Sequence, residues 1–140
     1  MPKHTLEVSV RYSEVDQQGI AHHSSYIPWL EMARLQFLKD LGEDYKKLEQ
    51  EGVSLVVAEL NCRYRRPLSF DDLICIETEL HQASAAKLVF HYTLKNEREE
   101  VAATAQTILA CVNQKGRPTK LPKPLQEKLH GAITIAFEEK

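Results

Sequence analysis

A chain of 140 residues suffices for one ordinary domain and is short for two, so residues 1–140 are read as a single domain; 43% hydrophobic and 27% charged residues exclude a disordered chain. Eighteen basic against twenty acidic residues leave a net charge of −2, without the basic excess of a nucleic-acid binder, so no nucleic-acid partner is expected. The longest unbroken apolar run, Ile108 to Val112, is far below the ~20 residues of a membrane span, and Met1 to Val10 lacks a signal-peptide core, so the expected location is cytoplasmic with no integral membrane segment.

Residues 5–12 alternate, with Leu6, Val8, Val10 and Tyr12 on one face, and read as a half-buried strand. Residues 13–25 are polar, contain Gly19 and read as a loop. From Tyr26 to Leu41 the period changes. Leu30, Ala33, Phe37 and Leu41 recur every three or four residues, and Ile27 and Leu38 widen the stripe of an amphipathic helix. Ser24 or Ser25 can cap it, Pro28 fits its first turn and Gly42 stops it. Asp44 to Glu51 forms a shorter helical piece.

Four strands follow. In 54–66, Val56, Ala58, Leu60, Cys62 and Tyr64 share one face, and Glu59, Asn61, Arg63 and Arg65 the other. Residues 73–82 and 86–95 alternate in the same way, with a turn at Asn96 to Glu99. Residues 101–113, small and apolar, suit a central strand covered on both faces. Pro118, Pro122 and Pro124 mark an irregular tail with room for a short helix at 124–130. The order β-α-β-β-β-β with short connections predicts an α+β domain, a five-stranded antiparallel sheet wrapped around one long helix. The sheet offers edges that a second subunit could cover, so an oligomer is expected.

Several chemistries have no support. Cys62, Cys75 and Cys111 form no CxxC and read as reduced thiols, with no disulfide framework or structural zinc site. Gly-x-Ser-x-Gly, GxxxxGK[ST], GxGxxG and HExxH are all absent. Chemistry therefore has to come from carboxylate, imidazole or backbone groups. Arg11 to Tyr26 gathers two acids, Glu14 and Asp16, with Gly19, His22, His23 and Tyr12 just before a helix. A helix start supplies free N–H groups and a positive dipole end that can hold an oxyanion, and a carboxylate beside it can act as base or nucleophile. Such loops are also polar for turn-making alone. Asp16 could bond its own backbone, Tyr12 could be core, His22 and His23 could be a solvated pair, and Gly19 could serve a positive φ or a close substrate approach.

Tyr12-x-x-x-Asp16-x-x-Gly19-Ile20-x-x-His23-x-x-Tyr26, followed by Glu31-x-Ala33-Arg34 on the helix, resembles the signature of hotdog-fold thioesterases. The likeness is to the 4-hydroxybenzoyl-CoA thioesterase type, including the Tol–Pal-associated acyl-CoA thioesterases. Downstream, Tyr64-Arg65-Arg66-Pro67-Leu68-x-x-Asp71-Asp72-Leu73-Ile74 resembles the family's second strand and turn, and the likeness spans about residues 5 to 115. Glu14, Val15 and His22 stand where many relatives have Asp, Thr and an aromatic residue.

The resemblance implies hydrolysis of an acyl-CoA thioester, with coenzyme A as part of the substrate and no metal or redox cofactor. It implies Asp16 as nucleophile or general base, the His23 backbone N–H as oxyanion contact, and Tyr12 and the His23 side chain as further active-site residues. It also implies dimers, commonly paired into tetramers, with sites at subunit interfaces. Gly19, Ile20 and Tyr26 belong to the candidate substrate site. Arg63, Arg65, Arg66 and Lys87 are candidates for the CoA phosphates, against the alternative of a solvated strand face. Trp29 and Met32 could shape an acyl pocket or a subunit interface. Two rival readings on the same fold are a non-catalytic acyl-CoA or acyl-carrier binding module and a hydratase or dehydratase. Free-thiol release separates them from a thioesterase.

Overall fold

A computed structural model describes residues 4–138, with side chains described to residue 133. The first strand, β1, runs His4–Ser9 and ends earlier than its alternation suggests. The cause is local. The Arg11 backbone N–H donates to Glu14 Oε1 at 2.7 Å, and its guanidinium reaches Oε2 at 3.2 Å. This contact folds Tyr12–Glu14 into a single 3₁₀ turn. Tyr12 therefore leaves the apolar face it was expected to share with Val10 and stands 79% exposed.

The long helix α1, Tyr26–Asp40, buries Tyr26, Trp29, Leu30, Ala33, Phe37 and Leu38, the three-and-four spacing of an inward stripe. Ile27 lies outside that stripe, about 100° round the axis from Tyr26, and is exposed rather than widening the buried face. Neither serine caps α1 as expected. Ser25 takes the N-cap position without a side-chain cap, and its hydroxyl donates to the Glu14 carbonyl at 2.9 Å. The His22 ring caps the 3₁₀ turn His23–Ser25 that leads into α1, its Nδ1 accepting the Ser24 N–H at 3.2 Å. The short α2, Tyr45–Gln50, starts where the Asp44 carboxylate accepts the Lys46 N–H.

Strands β2 (Ser54–Tyr64), β3 (Leu73–Ala83), β4 (Lys87–Lys95) and β5 (Val101–Val112) join β1 in one antiparallel sheet ordered β1-β3-β4-β5-β2. Ile74, Ile76 and Leu80 of β3, and Leu88, Phe90, Tyr92 and Leu94 of β4, are buried in one core with Trp29, Leu30 and Phe37 of α1. Each such side chain contributes about 1.5–3 kcal/mol, and the one buried phenol among them is satisfied by Thr107 Oγ1 at 2.7 Å. The fold is the hotdog arrangement of a sheet around a central helix.

Three expectations need correction. β5 is an interior strand, between β4 and β2, but it is not fully covered on both faces, since its outward residues Thr104, Gln106, Ile108 and Ala110 are only half-buried. In β2 the register shifts between Val57 and Glu59. Leu55 and Val57 therefore share the inner face with Leu60, Cys62 and Tyr64, and Val56 turns outward, which strict alternation cannot reveal. The tail is also more ordered than its prolines suggest. Helix α3 spans Lys123–Glu138 and seats Leu125 and Leu129, with Leu121 before them, in the main core. Pro124 lies in its first turn, where no N–H is required. All three cysteines are free, with Cys111 buried and Cys62 and Cys75 half-buried.

Candidate active site

The segment between β1 and α1 closes on itself. Asp16 N–H donates to the Ile20 carbonyl at 2.9 Å, Gly19 N–H to the Asp16 carbonyl at 3.0 Å, and Val15 bridges Ala21. Asp16 Oδ1 accepts the N–H groups of Gln18 at 2.8 Å and Ile20 at 3.2 Å. Asp16 thus does the work of a turn residue, but with one oxygen only. Among the described residues Oδ2 has no hydrogen-bond partner, and the side chain is exposed. Gly19 has φ +80°, and a Cβ there would meet nothing within 4 Å. The positive φ favours glycine here, and no protein atom crowds the position.

Two anchors hold this loop. Toward the sheet, Ala21 N–H donates to Leu68 O at 2.6 Å and Ile20 bridges Ser69, while Leu68 itself is fully buried. Toward the helix, His22 N–H donates to Glu14 O at 2.8 Å and Ser25 N–H to His22 O at 2.9 Å. With Ser24 N–H held by the His22 ring, the N–H groups on both sides of His23 are committed. The His23 N–H has no acceptor among the described residues. It opens the turn that feeds α1, where the aligned peptide dipoles favour negative charge.

Asp16, Ile20, His22, His23 and Tyr26 line one side of a cleft of about 370 Å³, and Tyr64, Arg65, Arg66 and Pro67 line the other. Tyr26 is buried and meets Tyr64 edge-on, ring centroids 4.8 Å apart. Burial first, then the neighbouring Cys62 and Tyr64, push the Tyr26 phenol up to about 12, so it stays protonated at neutral pH. The Tyr64 hydroxyl donates to the His23 carbonyl at 3.3 Å and so steadies the turn that carries the open N–H.

The expected residues do not all converge. Asp16, Ile20, His23, Tyr26, Arg65 and Arg66 meet at the cleft. Arg66 is engaged by Glu100 at 3.4 Å, whereas the Arg65 guanidinium has no partner among the described residues. Arg63 pairs in register with Thr104 on the outer face. Lys87 pairs with Ala110, seven residues along β5 from the Tyr64–Ala103 pair, about 23 Å away. Neither lines the cleft. Tyr12 also stands apart, edge-on against Phe70 at 5.7 Å. Sequence reasoning passed over Tyr64 and Glu14 as site residues. Tyr64 had a signal in its place beside the Arg65-Arg66 pair, whereas nothing local distinguishes the buried Glu14 from its polar neighbours.

A family profile described as the thioesterase-like superfamily matches residues 10–129. YneP of Bacillus subtilis, provisionally named an acyl-CoA thioesterase, is 33% identical over 108 residues, covering 77% of this chain and 78% of its own. The acyl-CoA thioester hydrolase YbgC of Escherichia coli is 30% identical over 119 residues, covering 84% of this chain and 89% of its own. Among solved structures, a DHNA-CoA thioesterase from Staphylococcus aureus superposes with a TM-score of 0.89 at 28% identity, covering 96% of this chain and 93% of that one. With the matched profile spanning most of its length and the same fold in a solved thioesterase, this chain belongs to the thioesterase-like superfamily.

Proposed function

We propose that the protein hydrolyses acyl-CoA thioesters to free acid and CoA, acting in the cytoplasm, with the thioester carbonyl seated between Asp16 and the His23 backbone N–H. The observation that carries this reading is the open N–H. Its neighbours on the same turn are all committed, and it shares one cleft with a carboxylate that keeps one oxygen free. The names of the matched relatives, YbgC and the DHNA-CoA thioesterase, support the substrate class.

In this mechanism Asp16 Oδ2 either attacks the thioester carbon or takes a proton from an attacking water. The carbonyl oxygen becomes an oxyanion that the His23 N–H stabilises, a donor whose loss typically costs about 10²–10³ in turnover. Collapse expels the CoA thiolate, which is protonated on leaving, and the exposed His23 imidazole is the nearest titratable group on that turn. If Asp16 attacks, the product is an acyl-aspartyl anhydride that water then hydrolyses to free acid and the regenerated carboxylate. Acid quench of a single turnover followed by mass spectrometry of the protein detects that anhydride, and general-base attack forms none. The carbon undergoes no redox change, so CoA enters as substrate and no separate cofactor is invoked. Of the four basic candidates, Arg65 is the one assigned to the CoA phosphates, being uncommitted at the cleft.

We further propose a homodimer through β2, with pairing of dimers into tetramers as the higher assembly. β2 is hydrogen-bonded on one side only, to β5, and presents Val56, Val57, Leu60 and Tyr64, each at least 38% exposed. An open apolar edge of this length is a template for a second copy. Light scattering of Leu60→Glu tests it, and an unchanged oligomer removes β2 as the interface.

The functional test is free-thiol release from short, long and benzoyl-type acyl-CoAs, wild type beside Asp16→Asn. Release abolished by the substitution supports the reading. Tight binding of CoA esters without release moves the protein to the binding-module class.

A further inference from the structure

We propose that Glu14 is a positioning residue for this reaction, setting the Asp16 carboxylate against the His23 N–H through its bonds to Trp29, His22 and Ser25. The inference rests on the reading that Asp16 and the His23 N–H carry the chemistry.

Glu14 is 7% exposed, the one buried charged residue among the described residues. A buried carboxylate is tolerated only when donors surround it. Its Oε1 accepts the Arg11 N–H at 2.7 Å, and Oε2 accepts the Trp29 indole N–H at 3.0 Å and the Arg11 guanidinium at 3.2 Å. Burial acts to raise its pKa, but the hydrogen bonds from Arg11 and Trp29 and the Arg11 charge outweigh it and hold the group below the usual glutamate range. The ionised form, which accepts all three donors, is thus the resident one.

Arg11 supplies two of the three donors, both from outside α1. The geometry nonetheless uses both ends of the residue to reach the helix. The side chain holds Trp29, one turn into α1, and the carbonyl holds His22 N–H at 2.8 Å and Ser25 Oγ at 2.9 Å. His22 and Ser25 bracket His23. In the other direction a single residue, Val15, separates Glu14 from Asp16. Val15 is extended (φ −103°, ψ 153°) and bridged to Ala21, so it has little slack to absorb a shift of Glu14. Base and oxyanion donor are therefore both referenced to one residue, whose carbonyl holds His22 and Ser25 and whose carboxylate fixes where that carbonyl sits. Displacements of about 1 Å in such a pair cost about 10²-fold in rate.

The chain contains a single tryptophan, Trp29, so its fluorescence reports on the Glu14 contact directly. Glu14→Gln keeps the volume but loses one acceptor oxygen. Trp29→Phe removes the indole N–H from the other side and keeps an aromatic ring in the core. The expected result for Glu14→Gln is a shifted Trp29 emission, kcat lower by about 10- to 100-fold and KM within about threefold of wild type. Trp29→Phe reproduces part of the kcat loss, and the double variant is no slower than Glu14→Gln. In wild type the emission changes as pH falls through a point below the usual glutamate range, and Glu14→Gln lacks this transition. If Glu14→Gln shifts the emission and turns over within twofold of wild type, the positioning role is overturned. It is also overturned if the two losses simply add, or if kcat falls only in step with the folded fraction. Should Glu14→Gln fail to fold, Trp29→Phe at wild-type kcat overturns it alone. Asp16→Asn run alongside keeps the cases distinct. Activity surviving in that variant strikes the underlying mechanism, whereas an inactive Asp16→Asn beside a normal Glu14→Gln strikes only this proposal.

Discussion

Two pairs of histidine rings in this molecule stack at the same centroid distance, 4.2 Å: His22 on His23, and His81 on His91. The first pair is made by consecutive residues on the turn into α1. The second is made across β3 and β4 on the outer face, with Glu79 opposite His91 in register and His81 at the shift between Leu80 and Gln82. His91 Nε2 is held by Gln106 Oε1 at 2.8 Å. As imidazole chemistry the pairs are alike. They differ in what lies beside the rings. At His22–His23 there are, among the described residues, an unsatisfied N–H, a carboxylate with a free oxygen and a cleft; at His81–His91 the His91 ring is already bonded to Gln106. A cluster of titratable rings does not make a site. A site needs donors and acceptors left open for something that is absent.

The comparison breaks most directly at Asp16. Asn keeps the turn, because its side-chain oxygen still accepts from Gln18 and Ile20, but it is neither base nor nucleophile. Asp16→Asn is expected to fold normally and lose about 10³-fold or more in kcat. Thiol release under saturating acyl-CoA measures this, and near-normal turnover removes Asp16 from the chemistry. The next largest effect isolates the backbone donor. His22 has φ −65° and ψ 140°, an extended conformation compatible with a following proline, and position 23 starts a 3₁₀ turn. His23→Pro therefore deletes the open N–H with little backbone cost, and His23→Ala deletes only the ring. The Pro variant is expected to be slower than the Ala variant by about 10²-fold. Equal rates would mean that the ring, not the N–H, matters at this position.

Most of the fold was legible because it depends on periodicity. Alternation located four strands, the small and apolar run 101–113 located the fifth, and the three-and-four spacing located α1. What periodicity missed has specific physical causes. Tyr12 left its face because Arg11 and Glu14 close a turn, a contact between residues three apart that no alternation encodes. Val56 left its face because of a single bulge residue. Helix α3 starts within one residue of the expected 124 but runs through Gly131 to Glu138 rather than ending at 130, so the difference lies at its C-terminal end and not at Pro124. At the cleft, Asp16, Ile20, His23 and Tyr26 are legible through the family resemblance that their spacing carries across the loop and into the first residue of α1. Arg63 and Lys87 were not separable from Arg65 and Arg66 by charge alone. Arg63 is held on the outer face by its pairing with Thr104, Arg65 escapes that face because β2 ends at Tyr64, and Lys87 lies far along the sheet at Ala110.

That register argument yields a smaller, sharper effect. Arg65→Ala is expected to raise KM for acyl-CoA by about 5- to 10-fold with kcat nearly unchanged, the signature of lost uniform binding. Arg63→Ala and Lys87→Ala should leave KM alone, and Arg66→Ala should fall between, since Glu100 already holds it. The Arg65 effect should shrink as salt rises, because an exposed cation on a phosphate is screened. A KM rise shared equally by all four would place the CoA phosphates on the outer face instead.

The smallest effect is expected where the histidines are most alike. His91→Ala removes the stacked partner of His81 and leaves Gln106 Oε1 without its ring donor, but both residues are only half-buried and water can replace the bond. Stability should change by no more than about 1 kcal/mol, read from a denaturant midpoint, and kcat should stay within about twofold of wild type. The value of this null is its contrast with His23→Pro. Both substitutions disturb one of two rings stacked at the same distance, and only one also deletes an unpaired donor. If His91→Ala cost turnover on the scale of His23→Pro, imidazole pairing itself would be the common factor, and the open N–H would lose its claim to set the start of α1 apart from the outer sheet face.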